Sequence, residues 1–165
     1  MKKEAVAMIY SKWTNGTEDF ETVRALRRAV FLDDMGISEA SVFDVYDPAA
    51  MHALLYDADE PVGTGRLYYD GEAFCIGRIC VLKDRRGRGF GDMIARLLLD
   101  RALNVHAPRI RLHAPPEQAG FYEKFGFGAL DGTHEEDGRL AVRMEALAND
   151  VVFPSACGHG GHSGR

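Results

Sequence analysis

Between the apolar run CIGRICVL (Cys75 to Leu82) and a long amphipathic stretch stand three glycines at alternate positions, Gly87, Gly89 and Gly91, in RRGRGFGDMIARLLL. Glycines at the mouth of a helix let successive backbone N–H groups converge on one point, and the helix N-terminus adds partial positive charge. A phosphate or pyrophosphate is the natural guest of such a turn, and Arg86 and Arg88 place cations beside it. Glycine-rich turns also occur with no guest, so the rest of the chain must decide. A P-loop is excluded, because no Lys-Ser or Lys-Thr follows the glycines. A dinucleotide fingerprint is excluded as well. The spacing is G-x-G-x-G, the charged KDRR intervenes, and the strands upstream are joined by hairpins rather than by a βαβ crossover.

The elements that must hold this loop follow from periodicity. Ala5 to Tyr10 reads as a first strand. Thr17, Glu18 and Asp19 read as a capped, acidic helix start, and Phe20, Val23, Leu26, Val30 and Phe31 carry helical spacing to about Asp34. Met51 to Tyr56 and Val62 to Tyr69 are strand-like and joined at DADEP. Asp70-Gly71 reads as a two-residue hairpin turn before a strand over Phe74 to Leu82. After the glycines, Met93, Ile94, Leu97, Leu98 and Ala102 form one apolar helical stripe that ends before Pro108. RIRLHA is a fifth strand, and Pro115-Pro116-Glu117 opens a helix that stops near Gly126. FGAL and RLAVRMEAL close the sheet around the turn-rich DGTHEEDG. The order β-α-β-β-β-α-β-α-β-β predicts an α/β (α+β) fold. It is a single domain over residues 1–148, with a mixed, mostly antiparallel sheet of about six or seven strands flanked by helices. Residues 149–165 form a Gly/His-rich tail.

Composition narrows the setting. The 165 residues suit one domain, with 46% hydrophobic and 27% charged residues. A net charge of −5 argues against general nucleic-acid binding, although Lys83, Arg85, Arg86 and Arg88 cluster at the glycine loop. No run is long enough for a signal peptide or a membrane span, and three cysteines without C-x-x-C spacing form no disulfide framework. A cytoplasmic protein with no membrane or nucleic-acid partner is expected, as a monomer or homodimer.

Three blocks in order carry a family resemblance. ICVLKDRRGRGFGDMIARLLL resembles the acetyl-CoA signature R/Q-x-x-G-x-G/A of the GNAT superfamily of N-acetyltransferases, with Arg86, Gly89 and Gly91 at the motif positions. GFYEKFGF (Gly120 to Phe127) resembles the superfamily's tyrosine-bearing helix and the strand after it. LRRAVFLDDMGISEASVFDVYD (Leu26 to Asp47) is similar to the N-terminal block of a bacterial subgroup of small GNAT proteins. Three ordered blocks are more specific than one loop. The resemblance implies that Ile79, Cys80 and Val81 line a pantetheine arm. Pyrophosphate would then rest on Arg86, Gly87, Arg88, Gly89, Phe90, Gly91 and Asp92, and a backbone N–H at Val81 would polarise the thioester carbonyl. It implies acetyl-CoA as the acyl donor, a small-molecule amine or peptide as acceptor, and Tyr122 as the acid that protonates the departing sulfur. Phe31, Phe43 and Asp44 fall on the acceptor side.

Other readings stand beside these. Tyr122, between Phe121 and Phe125, also fits the buried face of its helix. His113, with an unperturbed pKa of about 6.5, is a candidate base or a solvated surface residue. Glu72, Glu117, Asp44 and Asp47 are carboxylates that could serve instead or simply be solvated. Cys80 has no histidine near it in sequence to activate it and reads as a small core residue. The chain departs from the subgroup at Met35 and Pro115, where glutamines are usual, and DGRLAVRM lacks a Pro-His pair. Acceptor identity therefore does not carry over. Cys157, His159 and His162 have C-x-H-x-x-H spacing that could ligate a transition metal, or they belong to a flexible tail. An N-acetyltransferase, a non-catalytic acyl-CoA-binding module and a metal-binding adaptor are the three functional classes these features allow.

Overall fold

A computed structural model of the chain describes residues 8–155. Its strands are β1 (Ile9–Asn15), β2 (Met51–Asp57), β3 (Glu60–Tyr69), β4 (Phe74–Val81), β5 (Arg109–Ala114), β6 (Gly128–Ala129), β7 (His134–Glu136) and β8 (Arg139–Leu147). The helices are α1 (Phe20–Arg27), α2 (Glu39–Val42), α3 (Phe90–Asn104) and α4 (Ala119–Glu123). One sheet runs in the order β1-β2-β3-β4-β5-β8-β6, with β7 paired to β8 off that path. Every pairing is antiparallel except β4–β5.

Of the stripe expected on α3, Ile94, Leu98 and Ala102 are buried, but Leu97 is half-buried and Met93 is exposed, the buried face turning instead to include Ala95 and Leu99. Ile94, Ala95, Leu98, Leu99 and Ala102 are fully buried against Ala53, Leu67, Ile76, Ile110 and Leu112 of the sheet. The helix lies so close to β3 that a Cβ on Gly65 would come within 2.8 Å of Ile94 Cγ2 and 2.9 Å of Leu98 Cδ1. Only glycine permits that approach.

Several local expectations are corrected. The first strand is Ile9–Asn15 rather than Ala5–Tyr10, and residues 1–7 lie outside the described residues. Helix α1 has no side-chain cap; Asp19 takes a left-handed φ of 50°, and the Thr14 hydroxyl donates to the Glu18 carbonyl. Beyond Arg27 the helix continues to Asp34 but as a π-helix, with Met35 N–H reaching back to Val30 O at 3.1 Å. The tight two-residue turn is Ala58-Asp59, whose φ values of 48° and 70° suit the type I′ geometry. Asp70-Gly71 instead begins a four-residue loop. Its carboxylate accepts the N–H groups of Glu72 and Ala73 at 2.8 and 2.9 Å, which favours an Asx turn over the hairpin geometry. DGTHEEDG, expected to be turn throughout, contains β7 and a second tight turn at Asp137-Gly138, giving the sheet its eighth strand.

The chain stays docked past Ala148. Val152 N–H donates to Phe125 O at 3.0 Å, Arg96 Nη2 donates to Pro154 O at 2.5 Å, and Gly126 (φ +104°) sits against the carbonyl of Asp150. Cys157, His159 and His162 lie outside the described residues. Among the described residues no helix is long and apolar enough to cross a membrane.

Candidate active site

Strands β4 and β5 pair at only two positions, Phe74–Ile110 and Cys75–Arg111, and then separate. On its other edge, β4 carries a bulge. Thr64 pairs with Cys80 but Arg66 with Gly77, so Arg78 and Ile79 together oppose Gly65, and Arg78 takes a left-handed φ of 51°. The separation opens a groove of about 1200 Å³ between Gly77–Val81 and Leu112–Pro115. A parallel pair that ends early leaves strand-edge amides unpaired toward the gap, where an extended ligand bearing amides can add.

The glycine loop closes one end of this groove. Gly87 and Gly89 have φ values of +85° and +80°, and a Cβ on either, or on Gly91, would meet nothing within 4 Å, so that side of the loop is open. The first N–H of α3 with a backbone acceptor is that of Met93, to Gly89 O at 3.0 Å. The N–H groups of Phe90, Gly91 and Asp92 precede it, an arrangement suited to an anion. Arg86 Nε donates to Val81 O at 3.0 Å and ties the loop to β4, while its Nη2 lies 3.6 Å from Asp34.

The other basic residues are engaged elsewhere. Arg85 and Arg88 both turn to Asp57, at 3.3 and 3.1 Å, and Arg85 also pairs with Glu60. Asp92 pairs with Lys124 and Arg96 at 2.6 Å each; burial opposes its ionisation, but these two cations hold its carboxyl below the usual range. Of the residues expected at the coenzyme, Ile79, Cys80, Val81, Arg86, Gly87, Gly89, Phe90 and Gly91 line the groove, whereas Arg88 and Asp92 do not. Cys80 contributes backbone only. Its side chain is buried, its Sγ faces Leu26 O at 3.9 Å, and burial pushes its thiol up to about 12, so it is no nucleophile.

Tyr122 lines the groove from α4 and is also a core residue, 8% exposed and packed edge-on against Phe121 and Phe127 at 4.9 and 6.2 Å. The two readings of this tyrosine are compatible. Burial pushes its phenol up to about 12, so it carries its proton at neutral pH, and its hydroxyl has no hydrogen-bond partner among the described residues.

His113 lines the groove near the end of β5, with Nδ1 2.5 Å from Glu136 Oε1. A carboxylate has no proton to give, so the imidazole donates from Nδ1 and keeps its Nε2 lone pair free. His134 Nε2 approaches the same oxygen at 3.2 Å. Burial works against the Glu136 charge, but hydrogen bonding to His134 and the adjacent His113 hold its carboxyl below the usual range. Glu136 was missed from sequence because it lies on β7, inside a stretch read as turn; the alternation within HEEDGR was the available signal. Of the other candidate carboxylates, Glu117 lines the groove and Glu72 is an exposed partner of Arg111 at 3.1 Å.

Phe31 lines the groove from the π-helical segment, which also supplies Val30, and Arg139 Nη2 spans to Met35 O at 2.8 Å. Phe43 does not line it. Instead its ring packs edge-on to Phe20 at 6.2 Å and covers the Arg27 guanidinium at 5.5 Å. Asp44 lines a polar side cavity of about 380 Å³ that shares Arg78, His113, Glu136 and Asp137 with the main groove. Its carboxylate is already committed. Both oxygens bind Arg66, at 2.6 and 2.7 Å, and Oδ2 takes Arg78 at 3.2 Å. Asp47 behind it binds Arg27 at 3.0 Å and Arg66 at 2.9 Å. For both acids burial raises the pKa, but the arginine hydrogen bonds and charges prevail and hold it below the usual range. Asp44 and Asp47 are thus structural anions, not bases.

Comparison with known proteins agrees with this geometry. Residues 27–148 match the family model described as an acetyltransferase (GNAT) domain. The uncharacterised Bacillus subtilis protein YyaT is 34% identical over 129 residues, which span 76% of this chain and 87% of that one. A Lactobacillus plantarum crystal structure of a candidate N-acetyltransferase superposes with a TM-score of 0.77 at 29% identity, covering 85% of this chain and 98% of that one. The crystal structure of Escherichia coli ElaA gives a TM-score of 0.74 at 25% identity, covering 84% and 99%.

Proposed function

The chain belongs to the GNAT acetyltransferase family, whose chemistry is acyl transfer, and from that premise we propose that it moves an acetyl group from acetyl-CoA to a primary amine, with Tyr122 as general acid and His113 as general base. The observation that carries this reading is that a single groove joins the anion-suited glycine loop to a protonated phenol and to an imidazole held by a carboxylate.

The coenzyme, when bound, supplies an activated acyl carbon and a thiol leaving group. The open faces of Gly87, Gly89 and Gly91 and the amides at the start of α3 receive its pyrophosphate, and the β4 edge from Ile79 to Val81 receives its pantetheine amides. His113 accepts, at Nε2, the proton shed by the acceptor nitrogen as the C–N bond forms. Tyr122 gives its phenolic proton to sulfur as the C–S bond breaks, and the N–H of Val81 polarises the acyl oxygen. Acetylamine and free thiol leave, and a proton passes from His113 through solvent back to Tyr122.

Release of coenzyme A thiol from acetyl-CoA across a panel of primary amines tests the proposal. Release that depends on the amine supports it. Absence of coenzyme binding by calorimetry at millimolar ligand refutes both the loop and the chemistry. Tight binding without release under any amine leaves an acyl-CoA-binding module and refutes the enzyme.

A further inference from the structure

The polar side cavity is lined by Arg66 and Arg78, by Asp44, Glu136 and Asp137, and by His113. Behind one wall lie three guanidinium groups, Arg27, Arg66 and Arg78, and two carboxylates, Asp44 and Asp47. Arg27 is held by Asp47, and Arg66 by both acids. Arg78 is the cation in excess. Placed by the β4 bulge, it donates from Nε to Val42 O at 2.9 Å, and from Nη2 to Ser41 O at 3.0 Å and Asp44 Oδ2 at 3.2 Å. Its Nη1 has no partner among the described residues, and its side chain, 30% exposed, lines both the cavity and the groove. Burial and the charge of Arg66 push against this cation more than the Asp44 carboxylate supports it.

The lining also holds two further carboxylates. Asp137 forms no ion pair among the described residues, and Glu136 faces His113 and His134; neither lies within ion-pair distance of Arg78. His113 stands on the wall shared by cavity and groove. A ligand filling this space meets the Arg78 guanidinium, with its Nη1 open, and the carboxylates beside the proposed base.

We propose that the acceptor is an amino carboxylate of amino-acid class, its anionic group on Arg78 Nη1 and its amine beside Glu136, Asp137 and His113. This rests on the reading that an amine is acylated next to His113. A simple alkylamine would leave Nη1 desolvated without a partner, whereas a carboxylate completes the guanidinium's hydrogen bonds. A phosphate dianion fits less well, because a single N–H edge is free and Asp137 and Glu136 line the same space. The cavity's volume of about 380 Å³ suits a small molecule rather than a folded protein surface.

The test uses pairs of ligands that differ only in the carboxylate: alanine and ethylamine, leucine and 3-methylbutylamine, phenylalanine and phenethylamine. Each is titrated by calorimetry into the coenzyme A-loaded protein and then assayed with acetyl-CoA. The amino acid of at least one pair should bind at least tenfold more tightly than its amine and show about a hundredfold higher kcat/KM. Arg78→Gln should bring paired ligands within threefold; if that variant does not fold or loses acetyl-CoA binding, the wild-type pairs decide alone. Equal binding within every pair, tighter binding of the amines, or no binding of any amino acid at 10 mM overturns the inference. Acylation of alkylamines with no carboxylate preference overturns it while sparing the proposed function. Carboxylate-selective binding without thiol release does the reverse.

Discussion

Replacing Tyr122 by phenylalanine removes one oxygen and leaves the ring. In the folded protein that oxygen has no hydrogen-bond partner among the described residues, and the ring packs on Phe121 and Phe127 through its edges. Because Tyr122 lines the groove and its hydroxyl makes no hydrogen bond to the described residues, deleting it removes no protein partner. Stability should therefore stay level or rise, by at most about 1 kcal/mol in a urea melt. Catalysis should respond in the opposite sense. Without the phenolic proton the sulfur must depart as a thiolate. Loss of a positioned general acid costs about 10²- to 10⁴-fold in kcat, or about 2.7–5.5 kcal/mol of barrier. KM for acetyl-CoA should change less than about threefold, because the loop and strand edge proposed to hold the coenzyme are untouched. Thiol release followed against acetyl-CoA concentration separates the two constants. An acetyl thioester of a more acidic thiol, which needs no proton to leave, should be less impaired by Tyr122→Phe than acetyl-CoA is. A variant whose kcat stays within threefold of the parent, or whose deficit is the same for both thioesters, refutes the acid role. A loss of 2 kcal/mol in stability would show that the hydroxyl is structural and that the groove's phenol has been misread.

Glu136→Gln keeps a hydrogen-bond acceptor for His113 Nδ1 but removes the anion that stabilises a protonated imidazole, so kcat should fall about tenfold with acetyl-CoA affinity unchanged by calorimetry. Asp47→Ala strips the shared anion from two buried guanidinium groups and should cost about 3–5 kcal/mol in a denaturant melt. Because the folded pKa of Asp44 and Asp47 is depressed, their contribution is fully present above the unfolded carboxyl pKa of about 3.9. It is lost as pH falls through the lower folded values, so thermal stability should drop steeply below about pH 4; Asp47→Ala should flatten that drop. Gly89→Ala places a Cβ at φ +80° where nothing crowds it, so the penalty is backbone strain alone, about 1–2 kcal/mol. Acetyl-CoA affinity by calorimetry should fall about tenfold as the loop relaxes.

The elements with long periodic signals were legible in the sequence. The α3 stripe, the strands around it and the glycine loop emerged at nearly their observed bounds, because burial on one face imposes a period that composition alone reveals. Features set by tertiary contact were not. The Asp70-Gly71 dipeptide has hairpin chemistry, yet its carboxylate finds two local N–H groups and makes a wider loop, while Ala58-Asp59, with no glycine, forms the tight turn. Arg88 and Asp92 carry the right charges for a phosphate site or its helix, but Asp57 and the Lys124–Arg96 pair recruit them. Charge read along a sequence cannot say which of several partners will be nearest in space. The same limit hid Glu136, whose role depends on β7 folding back along β8 to meet His113 from another strand.

One backbone irregularity links these observations. A left-handed φ on a non-glycine residue costs roughly 1–2 kcal/mol, and Arg78 adopts one in the middle of a strand. Nothing in strand propensity favours it, so the surrounding contacts must hold it there. Those contacts are the two loop carbonyls of Ser41 and Val42 and the carboxylate of Asp44. The bulge has two geometric effects at once. It adds a residue on β4 opposite Gly65, bending the strand just past the last pairing with β5 at Cys75, where the groove begins. It also brings the Arg78 guanidinium to the wall that the groove shares with the side cavity. A regular strand would reverse the facing of every residue beyond the bulge, because side chains alternate with a period of two. Ile79 and Val81 would then exchange places with Cys80 relative to the coenzyme groove. The proposed acyl-donor opening and the proposed acceptor cation thus depend on the same extra residue, and a deletion that straightened β4 should abolish both binding events together in calorimetry.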